Sequence, residues 1–224
     1  MFKSTVARLF ARIMKENGLL SVGNLFEVGR SDLVGKYVGW TARIVKKKFQ
    51  DAMGSVLFID EAYSLVDDRD GLYGDEAINT IVAEMENRRD DIVVIFAGYS
   101  DKMEAFLNKN PGLRSRIAFH VPFSDYNPDE LMQILGIMAE KNSITLDPDV
   151  KDKLFPILSA AGRKPDFGNG RFVRNMLEKA RMKQAGRLLA MDINNVTNEQ
   201  VSHLIADDFE APASARAGKQ RIGF

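Results

Sequence analysis

The sequence predicts an α/β sandwich on a parallel sheet, followed by a small all-helical domain. Ser55-Val56-Leu57-Phe58-Ile59 and Ile92-Val93-Val94-Ile95-Phe96 are continuous, β-branched-rich apolar runs, as expected of strands covered on both faces. Helical periodicities fall between such runs, and strands alternating with helices imply parallel pairing. From about Asn127 the character changes, and helical patterns succeed one another with no strand between them.

The chain opens MFKSTVARLFARIMKENG, which places Val6, Leu9, Phe10, Ile13 and Met14 at helical spacing over Thr5 to Asn17, with Gly18 as C-cap. Leu25 to Val28 is a short strand candidate. A glycine-bearing loop then leads into a helix from about Thr41 to Met53, with Ile44, Val45, Phe49, Ala52 and Met53 on one face. Asp75 to Arg88 reads as a helix through Ile78, Ile81, Val82 and Met85, and Ala118 to Phe123 as a third, weaker buried strand. Helices follow over Asp129 to Lys141, Asp149 to Ala161, Phe172 to Met191 and Asn198 to Ile205. The expected division is an α/β domain over 1–126, a helical domain over 127–206 and a disordered tail over 207–224, where APASARAGKQRIGF has little to bury.

Composition removes several function classes. Thirty-one Lys and Arg balance 31 Asp and Glu, so no global charge points to nucleic acid or an anionic membrane. The absence of cysteine removes disulfides, thiolate catalysis and Cys-based zinc sites, and two distant histidines, His120 and His203, disfavour a His-rich metal site. No apolar run approaches the roughly 18 residues that span a bilayer. The expectation is a soluble, cytoplasmic protein with neither a nucleic-acid nor a membrane partner.

VLFIDEAYSL is the most informative stretch. A buried strand ending in Asp60-Glu61 delivers two carboxylates to the carboxyl edge of a parallel sheet, where ligands of such folds bind. In phosphate-cleaving enzymes the first holds Mg²⁺ and the second can orient the attacking water; the bland alternative is a charged turn. The second buried strand ends in Ala97-Gly98-Tyr99-Ser100, a small turn with two hydroxyls. Arg114 and Arg116 follow Pro111-Gly112, displayed as phosphate-stabilising guanidiniums or as solvated ones. Gly35 to Thr41, GKYVGWT, holds Tyr37, Val38, Gly39 and Trp40 in a loop that either projects apolar surface or packs on the sheet. Asn169-Gly170 opens a basic helix with Arg171 and Arg174 in its first turn, where cations oppose the helix dipole; an anionic ligand or a solvated face accounts for them. The opening itself has two readings. It is an Arg-bearing amphipathic targeting peptide, or Lys3-Ser4-Thr5 is the tail of a phosphate-binding loop.

In order, LVGKYVGWTA, LFIDEAYSLV, YGDEAINTIVAEMEN, VVIFAGYSDKMEAFLNKNPGLRSRI and FGNGRFVRNMLEKA resemble the AAA+ ATPases of the stage V sporulation protein K and red-type Rubisco activase family, from about Lys3 to Ile205. The resemblance implies a P-loop NTPase fold with a helical lid, and a ring, typically a hexamer, that remodels a protein partner with Mg-ATP. It implies that Asp60 is the Walker B metal ligand and Glu61 the catalytic glutamate. Tyr37, Val38 and Gly39 match the pore loop that grips polypeptide, and Arg114 and Arg116 the region of the arginine finger. Arg171 resembles the sensor 2 arginine, and sensor 1 falls near Tyr99, where many relatives carry Asn. Lys3, Ser4 and Thr5 resemble the end of the P-loop, with Ser4 also toward the metal, and the helix after that loop accounts for VARLFARIMKENG without a targeting peptide.

Members of this family carry a strand and a GxxxxGK[ST] loop ahead of this point, where these residues have only Met1-Phe2. The expected fold therefore lacks its first central strand, and the chain as written is expected to bind ATP poorly. The alternative is a degenerate, non-catalytic subunit or fragment that acts as a binding module.

Overall fold

The computed structural model describes residues 2–37, 39–66, 72–163, 167–191 and 197–210. The chain forms two compact units, Met1–Pro122 and Phe123–Phe224. That division falls four residues before the 126/127 boundary expected from the helical pattern.

Unit 1 is built on three parallel strands, β1 (Leu25–Val28), β2 (Ser55–Ile59) and β3 (Ile92–Phe96), in the order β1-β2-β3. Leu25 lies opposite Val56, and Ile59 opposite Phe96. β2 is central and every one of its residues is buried. The two faces of a strand alternate, and each has its own cover. Val56 and Phe58 face helix α1 (Phe2–Glu16), in clusters with Ala11 and Leu20 and with Ala7 and Ala97. Leu57 and Ile59 join the larger cluster with Val45 and Phe49 of α3 (Trp40–Asp51), Ile78 and Ile81 of α4 (Leu72–Asn87) and Phe106 of α5 (Ser100–Lys109). Two short helices, α2 (Arg30–Leu33) and α6 (Pro111–Arg114), add Leu33 and Leu113 to this core.

Two expectations for this unit are corrected. α1 begins at Phe2, and its buried residues are Ala7 and Ala11, with Met14 half-buried beside them. Val6, Leu9, Phe10 and Ile13, placed by spacing on a core face, are exposed. The small alanine methyls let the helix lie close on the sheet, which turns the larger side chains outward. Second, Ala118–Phe123 forms no strand: Phe119 is 87% and Val121 71% exposed. A strand persists only where its backbone groups are paired. Among the described residues no strand lies beside this segment.

Unit 2 packs α7 (Pro128–Lys141), α8 (Asp149–Ala161) and α9 (Gly170–Leu189) around Leu131, Leu135, Leu154, Leu158, Val173 and Leu177. Asn127 and Glu130 form a capping box that starts α7, where Pro128 sits in the first turn. Among the described residues of this unit, the strands are one two-residue parallel pair, β4 (Thr145–Leu146) with β5 (His203–Leu204). The helix expected over Asn198 to Ile205 therefore stops early, as α10 (Asn198–Ser202). Buried Gln184 explains the stop. Its Nε2 donates to the carbonyls of Gln200, Val201 and His203 at 3.0, 3.1 and 2.7 Å, so the chain leaves the helix with its acceptors satisfied.

The tail expected from 207 onward is also corrected at its start. Asp208 is 2% and Phe209 1% exposed, and Phe209 belongs to the core of this unit. Arg187 Nε and Nη2 donate to the two Asp208 carboxylate oxygens at 3.0 and 2.8 Å, while Lys153 pairs with Asp207 and Lys183 with Glu210. One aromatic inside a polar string carries no periodicity, so sequence pattern had nothing to register there. Residues 211–224 lie outside the described residues. No helix among the described residues is long and apolar enough to cross a membrane.

Candidate nucleotide site

The carboxyl edge of the sheet in unit 1 collects much of the candidate chemistry. β2 delivers Asp60 and Glu61 from full burial into exposure within one residue of Ile59. Asp60 N–H donates to the Val28 carbonyl at 2.9 Å, and Asp60 Oδ1 accepts from Glu61 N–H at 3.0 Å. Glu61 has φ 47°, a left-handed conformation that costs a non-glycine residue of order 1 kcal/mol. It is held there from both sides. Ser64 N–H donates to its carbonyl at 2.7 Å, and Ala62 N–H donates to Ala97 at 3.0 Å as the chain enters a 3₁₀ turn, Ala62–Val66. Arg30 Nη1 clamps that turn through the carbonyls of Ser64 and Leu65, at 2.8 and 3.3 Å. The backbone after the strand is thus fixed where a catalytic carboxylate would have to be aimed.

The end of β3 completes the edge. Tyr63, 8% exposed, lies beside Tyr99 with ring centroids 6.4 Å apart. Gly98 makes the room. A Cβ on it would come within 2.8 Å of both Tyr63 Cδ1 and the Met103 side chain. Lys102 Nζ stands 4.8 Å over the Tyr63 ring and 5.7 Å over the Tyr99 ring. Lys3, in the first turn of α1, donates from Nζ to the Gly98 carbonyl and lies 5.9 Å from the Tyr99 ring. Ser4 is half-buried next to it, and Thr5 is exposed. Sequence reasoning missed Tyr63, Lys102 and Arg30, and named Gly98 only as part of a small turn. Each acts through contacts between segments far apart in sequence, Arg30 with Ser64 and Leu65, and Gly98 and Lys102 with Tyr63, which standing next to a flagged residue does not reveal.

Burial pushes the Tyr63 hydroxyl's pKa above the ordinary 10.0, and the Glu61 carboxylate adds to this through its charge and by accepting a hydrogen bond. An alkaline spectrophotometric titration should therefore show a late-ionising phenol whose ionisation moves down in Glu61→Gln. A phenol raised in the fold is protonated more tightly there than in the unfolded chain. Its stabilising contribution is full below about pH 10 and is lost as pH rises through the folded value. A titration curve unchanged by Glu61→Gln would show that the two side chains do not interact.

The remaining candidates stand elsewhere. Arg114 and Arg116 are exposed and engaged locally: Arg114 donates to the Asn108 side chain, Arg116 donates to the Gly112 carbonyl at 3.1 Å, and its Nε lies 3.3 Å from Glu86. Tyr37 and Trp40 are exposed and meet edge to face at 4.9 Å, so they pack on one another rather than on the sheet. Gly39, at φ 77°, caps α3, and Val38 lies outside the described residues. Arg171 belongs to unit 2 and is exposed in the first turn of α9. That turn is set by Asn169, at φ 45°, whose side chain accepts from Tyr126 N–H at 2.9 Å and donates to Asp125 at 2.5 Å.

Among the described residues no three His, Asp or Glu side chains cluster to cage a metal. Mg²⁺ at a phosphate site needs fewer, because it keeps several waters and takes oxygens from the substrate. The exposed Asp60 carboxylate and the Ser4 hydroxyl are hard oxygen donors of that kind, and they fit Mg²⁺.

Comparison with known proteins gives a consistent family. The profile of the ATPase family associated with various cellular activities (AAA) matches residues 3–125, and that of the AAA lid domain residues 127–219. The chain is 44% identical over 207 residues to the chloroplastic ribulose bisphosphate carboxylase/oxygenase activase of Cyanidioschyzon merolae, covering 92% of this chain and 71% of that protein. It is 41% identical over 217 residues to protein CbbX of Cereibacter sphaeroides, covering 96% and 70%. In fold it is similar to the crystal structure of the FIGL-1 AAA domain, with TM-score 0.60 at 18% identity, over 82% of this chain and 59% of that one. A structure described as the basis for katanin self-assembly matches at TM-score 0.58 and 18% identity, over 92% and 66%. The chain thus spans about 60% of the length of the FIGL-1 chain and about 70% of its curated relatives.

Proposed function

Because the chain belongs to the AAA family of ATPases, with an AAA lid domain following the ATPase domain in sequence, we propose that it works in a ring, a hexamer, that hydrolyses Mg-ATP to remodel a protein partner in the cytoplasm. The observation that supports this reading is the sheet edge, where Asp60 and Glu61 leave β2 on a backbone pinned by hydrogen bonds, and where Lys3 reaches the end of β3 beside Tyr99. Relatives whose printed names include a Rubisco activase support a protein as the substrate.

Each residue has a part in the proposal. Asp60 and Ser4 would hold Mg²⁺, which would supply neutralising charge to the phosphates. Lys3 leaves the Gly98 carbonyl to meet the phosphate oxygens, with Thr5 beside it. Glu61 takes the proton of the attacking water, and Tyr99 lines the γ-phosphate side of the edge. Arg171 reaches the nucleotide from the lid, and Arg114 or Arg116 reaches a neighbouring subunit's nucleotide by releasing its local contacts. Tyr37, Val38 and Gly39 grip the substrate chain.

A P-loop binds phosphate through successive backbone N–H groups at a helix N-terminus. No glycine stands ahead of Lys3 within these 224 residues. Without three or four such charge-assisted bonds, each of roughly 1.5–3 kcal/mol, a micromolar site becomes millimolar or weaker. Titration of residues 1–224 with a fluorescent ATP analogue and Mg²⁺, beside Asp60→Asn, tests the assignment. Weak binding, weakened again by Asp60→Asn, is the expected result. Micromolar binding would refute the energetic argument, and indifference to Asp60→Asn would remove Asp60 from the site.

A further inference from the structure

Between Asp32 and Asp51 the chain holds Lys36, Arg43, Lys46, Lys47 and Lys48, and no Asp or Glu. α3 explains where these cations point. Thr41, Val45 and Phe49, at four-residue spacing, turn one face into the core. The opposite face carries Trp40, Arg43 and Lys47, at i, i+3 and i+7, as one row along the helix. All three are exposed, as are Lys36 and Lys46 at either side of the row. Among the described residues none of these cations forms an ion pair. The row ends on the Tyr37–Trp40 pair, 62% and 52% exposed.

A basic helix face alone is commonly a solvated one. Here it is continuous with two large rings held in contact and left in water, and aromatic anchors beside arginine are the composition of binding hot spots. Trp40 to Lys47 spans about 10 Å along the helix axis, which about three residues of extended chain cover. An occupant must therefore present an apolar side chain and negative charge within a few residues of each other.

Building on the polypeptide grip proposed above, we propose that the segment taken at Tyr37 is acidic: an apolar side chain packs on Tyr37 and Trp40, and carboxylates on the next residues pair with Lys36, Arg43 and Lys47. A single-stranded nucleic acid could also stack and pair with such a row. The balanced charge of the whole chain favours protein.

Trp40 is the only tryptophan, so its emission reports directly on the row. The full chain, with Mg²⁺ and a millimolar non-hydrolysable ATP analogue, is titrated with three probes of equal length. They are a Leu-containing peptide rich in Asp and Glu, the same peptide with Asn and Gln in their place, and a single-stranded oligonucleotide. The acidic peptide is expected to bind about tenfold tighter than the amide peptide, as three exposed pairs allow, and to lose that advantage in high salt. Arg43→Glu with Lys47→Glu should abolish the preference while the amide peptide binds as before, which shows that the fold and the aromatic pair are intact. Equal binding of the two peptides overturns the acidic preference and leaves the grip standing. Tighter binding of the oligonucleotide overturns the choice of protein. No response to any probe overturns the grip at this loop and the inference with it.

Discussion

Glu61→Gln is expected to lower ATP turnover by about 10²–10⁴-fold, the range for removing a general base, with nucleotide affinity nearly unchanged. The isosteric amide keeps the side chain's volume. Backbone contacts rather than the carboxylate hold residue 61 at φ 47°: Ser64 N–H on its carbonyl and Asp60 Oδ1 on its N–H. The substitution therefore removes the proton acceptor and leaves the edge in place. The comparison should use phosphate release at millimolar Mg-ATP, normalised to the fraction bound, because residues 1–224 alone are expected to bind weakly. Asp60→Asn should show the complementary pattern, in which affinity falls first. If the Gln variant turned over at the parent rate, the water would have to be activated by another group, and the proposed division of labour between the carboxylates would fail.

Arg187→Met is expected to destabilise unit 2 by about 3–5 kcal/mol, the usual result of stranding one partner of a buried pair. Asp208 is 2% exposed, and among the described residues its carboxylate, without the bidentate guanidinium, keeps only the Ile205 N–H, at 3.1 Å. Phe209, locked into the core next to it, would lose its anchor in the same step. Urea unfolding should be followed by far-UV circular dichroism, since Trp40 belongs to the other unit and reports nothing about this one. If the penalty is the stranded charge, adding Asp208→Leu should recover most of the loss. A loss below about 1 kcal/mol would place the pair among ordinary surface bridges.

Parts of the molecule that obey local rules were legible in the chain. Ser55–Ile59 reads as a buried strand because α1 covers Val56 and Phe58 while α3 and α4 cover Leu57 and Ile59, so four consecutive residues are apolar. Pro128–Lys141 and Asp149–Ala161 show a helical period because one face alone is buried. Asp60 and Glu61 stood out because a pair of carboxylates directly after an apolar strand is a local pattern. Ala118–Phe123 has the composition of a strand, but a strand exists only with a neighbour, and composition does not contain the neighbour. Val6, Leu9, Phe10 and Ile13 have the period of a buried face, yet the depth of contact with the sheet selected Ala7 and Ala11.

The sequence by itself determined the strand-helix alternation, the change to helices near Asn127, the carboxylate pair and the aromatic loop, since each depends on residues within a turn or two of one another. Only the tertiary structure decided that Lys3 reaches the end of β3, that Gly98 admits the Tyr63 ring beside Glu61, and that Asp208 and Phe209 close unit 2. Those contacts join residues between 21 and 95 positions apart in the chain. Their partners are chosen by packing and by pairing of buried polar groups, which no local pattern records.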